Sequence, residues 1–193
     1  MNKTRLEAFS DGVLAIIITI MVLELKVPEE ASYEALIPLL PKFLSYVLSF
    51  IYVGIYWNNH HHMLHTVKQV NGKILWANLH LLFWLSLIPF TTAWIGENHF
   101  AAFPMMSYGF VLLMNGIAYF MLQQVILKQQ GSNSILKKAI GTDIKGKSSP
   151  VLYTIAILFA NFYPLVSGAI YIFVALMWLV PDKRIEATLT EKQ

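Results

Sequence analysis

Two stretches of this sequence, 103–127 and 151–180, contain no Asp, Glu, Lys or Arg. Runs that long and that apolar cannot be covered by the rest of a 193-residue chain in which only 13% of residues are charged. A soluble domain carries about 25%. Hydrophobic residues make up 56%, which also excludes a disordered chain. In hydrocarbon every backbone polar group needs a partner, so spanning structures are helices or closed barrels, and these runs are too long for barrel strands. The fold class expected is an all-α, multi-pass membrane protein forming one domain over 1–193. With no cysteine, disulfides, thiolate metal sites and cysteine nucleophiles are excluded.

Apolar runs at 6–25, 39–59, 74–95 and 103–127 each approach the roughly 20 residues that a bilayer requires. The run 151–180 is too long for one upright span, and Pro164 sits near its middle beside Asn161, Ser167 and Gly168. Proline breaks helical hydrogen bonding, so the expectation is two short spans, 151–163 and 165–180, with a re-entrant hairpin as the alternative. That makes six transmembrane helices. Lys3, Arg5, Lys68, Lys73, Lys128, Lys137, Lys138, Lys145, Lys147, Lys183, Arg184 and Lys192 fall on alternate connections, and only Lys26 and Lys42 lie on the other side. The positive-inside rule then places both termini in the cytoplasm. A cleaved signal peptide is not expected, because Ser10, Asp11, Glu24 and Lys26 interrupt and follow the first run without a small-residue cleavage site.

Asp11 is the ionisable residue that most needs explaining, because a charge inside a spanning helix costs roughly 2.5–3.5 kcal/mol on insertion scales. At about 100° per residue, Gly12, Ile16, Thr19, Ile20 and Leu23 share one stripe of the first helix, and Asp11 points away from it. Ser10 and Asp11 lie at the depth where the second span ends in Trp57, Asn58, Asn59, His60, His61 and His62, and where the third begins with Trp76, Asn78 and His80. Arg5 is at the same mouth. A carboxylate there can accept from indole, imidazole or amide donors. Two kinds of role fit Asp11: a clamp tying three helices together, or a proton-relay or gating role.

His61 and His65 stand four apart on one helical face, but no carboxylate follows His61 directly, so no metal site and no cofactor is expected. No G-x-S-x-G, H-E-x-x-H or phosphate loop is present, and the chain is not expected to be an enzyme. The basic connector 129–149 is expected to lie near anionic lipid. Nothing in the sequence suggests a nucleic-acid partner.

The run Arg5-Leu6-Glu7-Ala8-Phe9-Ser10-Asp11-Gly12 opens the first apolar helix as R-x-x-x-F-S-D. It resembles the start of the transmembrane protein 175 family of potassium channels. Trp57-x-x-His60-His61, Asn78-Leu79, Leu82-Phe83 and Pro89-Phe90-Thr91 are similar to that family's bacterial branch. The resemblance implies a homotetramer in a bacterial plasma membrane, with the first helix of each copy lining a central pore. It implies a constriction at Ile16, Ile20 and Leu23, a polar layer at Thr19, and a structural network of Arg5, Ser10, Asp11, Trp57 and His60 or His61. These are the positions of the stripe and of the polar level drawn from helix geometry.

The function expected is a potassium-permeable, cation-selective leak channel, with other monovalent cations or protons as further permeants. The T-V-G-Y-G loop of ordinary potassium channels is absent, since Tyr52-Val53-Gly54-Ile55-Tyr56 falls inside a predicted helix. An aliphatic ring offers no ligands, so an ion must shed or deform its water shell there, and potassium does so at lower cost than sodium. Glu24, Glu29 and Glu30 near the outer end concentrate cations. The alternative is a proton-coupled secondary transporter using Asp11 and the histidines of the second helix.

Overall fold

The structure is a computed structural model that describes residues 2–131, 136–137 and 143–179. Helix α1 (Lys3–Leu23) starts where the Asn2 side chain accepts a hydrogen bond from the Thr4 amide at 3.2 Å, satisfying one of the free donors of a helix start. A short 3-10 helix (Glu34–Leu39) runs directly into α2 (Leu40–His65), whose second residue is Pro41. Proline is tolerated there because the first turn lacks intrahelical acceptors for its missing N–H.

Asn71 caps α3 (Gly72–Ser86) by accepting from Ile74 N at 2.9 Å. The chain then re-forms as α4 (Ile88–Glu97) after a single turn residue, Leu87. Pro89 explains the break: it cannot donate to the carbonyl four residues back, and its ring crowds that carbonyl. The run expected as one span over 74–95 is therefore two helical pieces. Helix α5 (Ala102–Gln130) has Pro104 in its first turn and ends at Gly131, whose φ of +80° suits a residue without a Cβ. Asp143 caps α6 (Ile144–Ala160), accepting from Gly146 N at 3.0 Å, and α7 (Pro164–Leu179) follows after a three-residue turn.

Helix bounds depart from the expected spans at two further places. Helix α2 runs through all four histidines to His65 instead of ending at Asn59. Helix α6 begins at Ile144, before the apolar run at Val151, and so takes Lys145 and Lys147 into its first turns. Pro164 stands at the first residue of α7, so 151–179 is a helix–turn–helix hairpin, clasped where Ser167 Oγ donates to Ala156 O at 2.6 Å. Part of the basic connector and the last 14 residues (180–193) lie outside the described residues, including Lys138, Lys183, Arg184 and Lys192. Among the described residues, four helical stretches are long and apolar enough to cross a membrane: Lys3–Leu23, Glu34–His65, Gly72–Glu97 and Ala102–Gln130. Helix α7 is apolar but shorter.

Two cores hold the bundle. In the first, Leu6, Leu14, Ile17 and Met21 of α1 pack with Val53 and Leu64 of α2, Leu81 and Leu85 of α3, Ile88 of α4 and Leu122 of α5. In the second, Tyr52, Tyr108, Tyr153 and Tyr171 form an aromatic cluster joining α2, α5, α6 and α7. Its hydroxyls are spent on backbone and side-chain partners: Tyr52 donates to Tyr171 O at 2.6 Å, Tyr171 donates to Met105 O at 3.0 Å, and Tyr108 pairs with Ser49 at 3.0 Å. Helices α2 and α4 come close at Gly96, where a Cβ would lie 2.7 Å from the Lys42 backbone. A larger side chain there must push the two helices apart, as expected for small residues at membrane helix crossings.

Candidate functional site

Helix α1 has two opposed faces. Leu6, Ser10, Leu14, Ile17 and Met21 recur at intervals of three and four and are buried against the rest of the chain. Gly12, Ile16, Thr19, Ile20 and Leu23 lie on the other side and are exposed. Ile16 is 59% exposed and Leu23 77%, whereas Leu14, two residues before Ile16, is 1% exposed. A stripe of large aliphatic side chains on the outside of a bundle needs a partner, either lipid or another protein surface. Thr19 Oγ1 donates to Ile16 O at 2.9 Å. That leaves the hydroxyl lone pairs directed outward on the exposed stripe.

Behind α1 a polar chain crosses three helices. Asn78 of α3 is 0% exposed. Its Nδ2 donates to Ser10 Oγ of α1 at 3.0 Å, and Ser10 in turn donates to Leu6 O at 2.9 Å. Asn78 Oδ1 lies 2.6 Å from Nε2 of His60 on α2. Because an amide oxygen only accepts, His60 must carry its proton on Nε2, and the direction of every bond in the chain is fixed. All three side chains are buried, so a satisfied network here sets the relative position of α1, α2 and α3.

Asp11 belongs to a second, more exposed contact. Its Oδ1 accepts from the indole Nε1 of Trp57 at 3.0 Å. Of the donors at that depth, indole is the one used. His60 turns inward to Asn78, and His80 instead accepts from Trp84 within its own helix at 3.0 Å. Trp76 points outward. Arg5 is exposed on α1, and among the described residues its side chain makes no hydrogen bond or ion pair, so the geometry does not bring it into the network. His61 is also exposed; its ring lies 6.2 Å from that of Trp57 and 6.4 Å from that of His65. Of the residues expected in one network, Ser10 and His60 are joined through Asn78, while Asp11 and Trp57 form a separate pair.

The two contacts bear on the roles considered for Asp11. An indole N–H donates and cannot accept, so it passes no proton onward from the carboxylate. A carboxamide likewise interrupts any path from His60 to Ser10. Both contacts join side chains of different helices. Asn78 is the member that the motif pattern undervalued, because sequence placed it only at the right depth. Its signal was a polar residue one to two turns inside an otherwise apolar helix. Among the described residues no group of three or more His, Asp or Glu is arranged to hold a metal ion. Glu24, Glu29 and Glu30 are exposed beyond the end of α1.

Fold and site together define a multi-pass helical membrane protein whose first helix is locked from behind by a polar clamp and presents an aliphatic stripe outward. The family model described as endosomal/lysosomal potassium channel TMEM175 matches residues 5–89, a stretch that contains Ser10, Asp11, Trp57, His60 and Asn78. A potassium channel from Chryseobacterium sp. is 61% identical over 191 residues, covering 99% of this chain and 100% of that protein. A potassium channel from Streptomyces collinus is 39% identical over 102 residues, half of each chain. The crystal structure of a lysosomal potassium-selective channel TMEM175 homolog from Chamaesiphon minutus superposes with a TM-score of 0.81 at 27% identity, covering 93% of this chain and 97% of that one. The chain belongs to the TMEM175 family.

Proposed function

We propose that this protein is a potassium-permeable, cation-selective leak channel of a bacterial plasma membrane, in which four copies surround an axial pore lined by α1. Six crossings, made by α1, α2, α3 with α4, α5, α6 and α7, leave both termini in the cytoplasm. The observation that carries the reading is the exposed stripe of Ile16, Thr19, Ile20 and Leu23 on a helix whose opposite face is buried. Full-length similarity to a potassium channel supports it. A single bundle of this size buries its core with tyrosines, leucines and alanines and has no room for a water-filled conduit of its own, so the conduit forms between copies.

Ile16, Ile20 and Leu23 form the constriction. They discriminate by the cost of stripping water, with Thr19 hydroxyls as partial substitutes for it, and an apolar ring also gates by dewetting. The clamp of Ser10, Asn78 and His60 holds α1 at the angle that keeps this stripe on the axis. Coupled transport through Asp11 and the histidines lacks a proton path, because indole and carboxamide groups intervene.

Reconstitution into liposomes tests this function. A potassium gradient should drive rapid, non-saturating passive flux, with sodium slower by a modest factor, and the detergent-solubilised particle should have the mass of four chains. Saturable exchange that requires a proton gradient, or no flux from correctly assembled particles, contradicts it.

A further inference from the structure

The last turns of α2 carry three consecutive histidines and a fourth at His65, and the imidazole of His60 is engaged inside the bundle by Asn78. His61 and His65 are exposed and one helical turn apart on the same face. Their ring centroids are 6.4 Å apart with planes inclined by 40°. A rotamer adjustment of either ring from there lets one nitrogen of each approach a common ion at the roughly 2.0–2.1 Å of a zinc–imidazole bond. The surroundings favour such a pair. Trp57 and His62 flank His61 at 6.2 and 5.7 Å and limit its ring orientations. Lys3 is turned to His65 O at 2.7 Å, with Glu7 beside it at 3.6 Å. Its charge is thus partly neutralised and held at the backbone.

We propose that His61 and His65 form a binding site for a borderline divalent transition-metal ion, zinc or copper, with two protein nitrogens and the remaining positions filled by water. With no third protein ligand among the described residues, the ion is exchangeable, a ligand of the α2 terminus and not a resident cofactor. Copper binds more tightly than zinc, following the general order for nitrogen sites. Bound metal pins His61, and with it the turn that presents Trp57 to Asp11. The site stands on α2 alone and does not depend on what the pore conducts.

The test is calorimetric titration of zinc chloride into the purified full chain in detergent, paired with electron paramagnetic resonance of added copper(II). One ion should bind per chain, with a copper spectrum showing two equivalent nitrogen ligands. Even outer-shell substitutions weaken metal sites about 10–100-fold, so His65→Ala or His61→Ala should weaken zinc binding about tenfold or more. The copper spectrum should then reduce to one nitrogen, while His62→Ala leaves both unchanged. Absence of zinc binding at millimolar concentration, unchanged affinity in His65→Ala, or a one-nitrogen spectrum in the unaltered protein overturns the proposal. That last measurement needs no variant, so a substitution that fails to fold cannot rescue it.

Discussion

Replacing Ile16 with asparagine should raise potassium conductance about tenfold and narrow the preference for potassium over sodium, measured as single-channel currents in planar bilayers with ion replacement. In the proposed tetramer four Ile16 side chains meet at the narrowest level, where an ion has no ligand and water is least stable. Four carboxamides there supply oxygens that replace lost water and keep the constriction wet. A fall of only about 1.4 kcal/mol in the barrier is a tenfold rise in rate. Selectivity falls for the same reason: discrimination rests on the difference in stripping cost, and a wetted ring removes the need to strip. Leu23→Ala should act in the same direction with a smaller effect, since Leu23 lies two turns farther toward the end of α1. Neither substitution should disturb folding, because both side chains are exposed within one chain.

Asn78→Leu should have the opposite profile, with little effect on selectivity in the channels that form and a large loss of assembled tetramer. The substitution removes the bond to Ser10 and leaves His60 Nε2 as a buried donor without its partner. An unmet buried group costs roughly 1–3 kcal/mol. Interhelical hydrogen bonds in membranes average less, about 0.6 kcal/mol, but this residue serves two helices at once. The expected result is a lower thermal midpoint and a smaller tetramer fraction by size-exclusion chromatography. Trp57→Phe, which removes a single, more exposed bond to Asp11, should cost less. If Asn78→Leu assembles normally and Trp57→Phe does not, the buried chain is not the element that positions α1.

The sequence made the outward face of α1 legible because its signals are local. The spacing of Gly12, Ile16, Thr19, Ile20 and Leu23 defines a face from helix periodicity alone, and the F-S-D motif fixes where that face starts. Pro164 likewise marked the turn between α6 and α7. The polar contacts were legible only as a depth. Which donor reaches Asp11 depends on rotations of α2 and α3 that no local pattern encodes, and Trp57 wins because His60 is turned toward Asn78. The resemblance puts Arg5 in one network with Asp11, yet six residues along a helix leaves them on different faces. The bend at Leu87 was hidden for another reason. Hydropathy runs smoothly through Pro89, and only the loss of one backbone donor separates α3 from α4. The tyrosine cluster carried no sequence signal, since Tyr52, Tyr108, Tyr153 and Tyr171 come from four different helices.

The central claim is that four copies of α1 face one another across an axis, and the chain's lack of cysteine allows a direct measurement. Single substitutions Ile16→Cys and Ile17→Cys are made in the otherwise unaltered protein, and each is exposed to an oxidant and to cadmium in assembled channels. Ile16→Cys should cross-link copies to one another and let cadmium stop the current, while Ile17→Cys, on the buried face of α1, should do neither. Cross-linking and block at position 17 with an inert position 16 would place the outward stripe against lipid and contradict that claim.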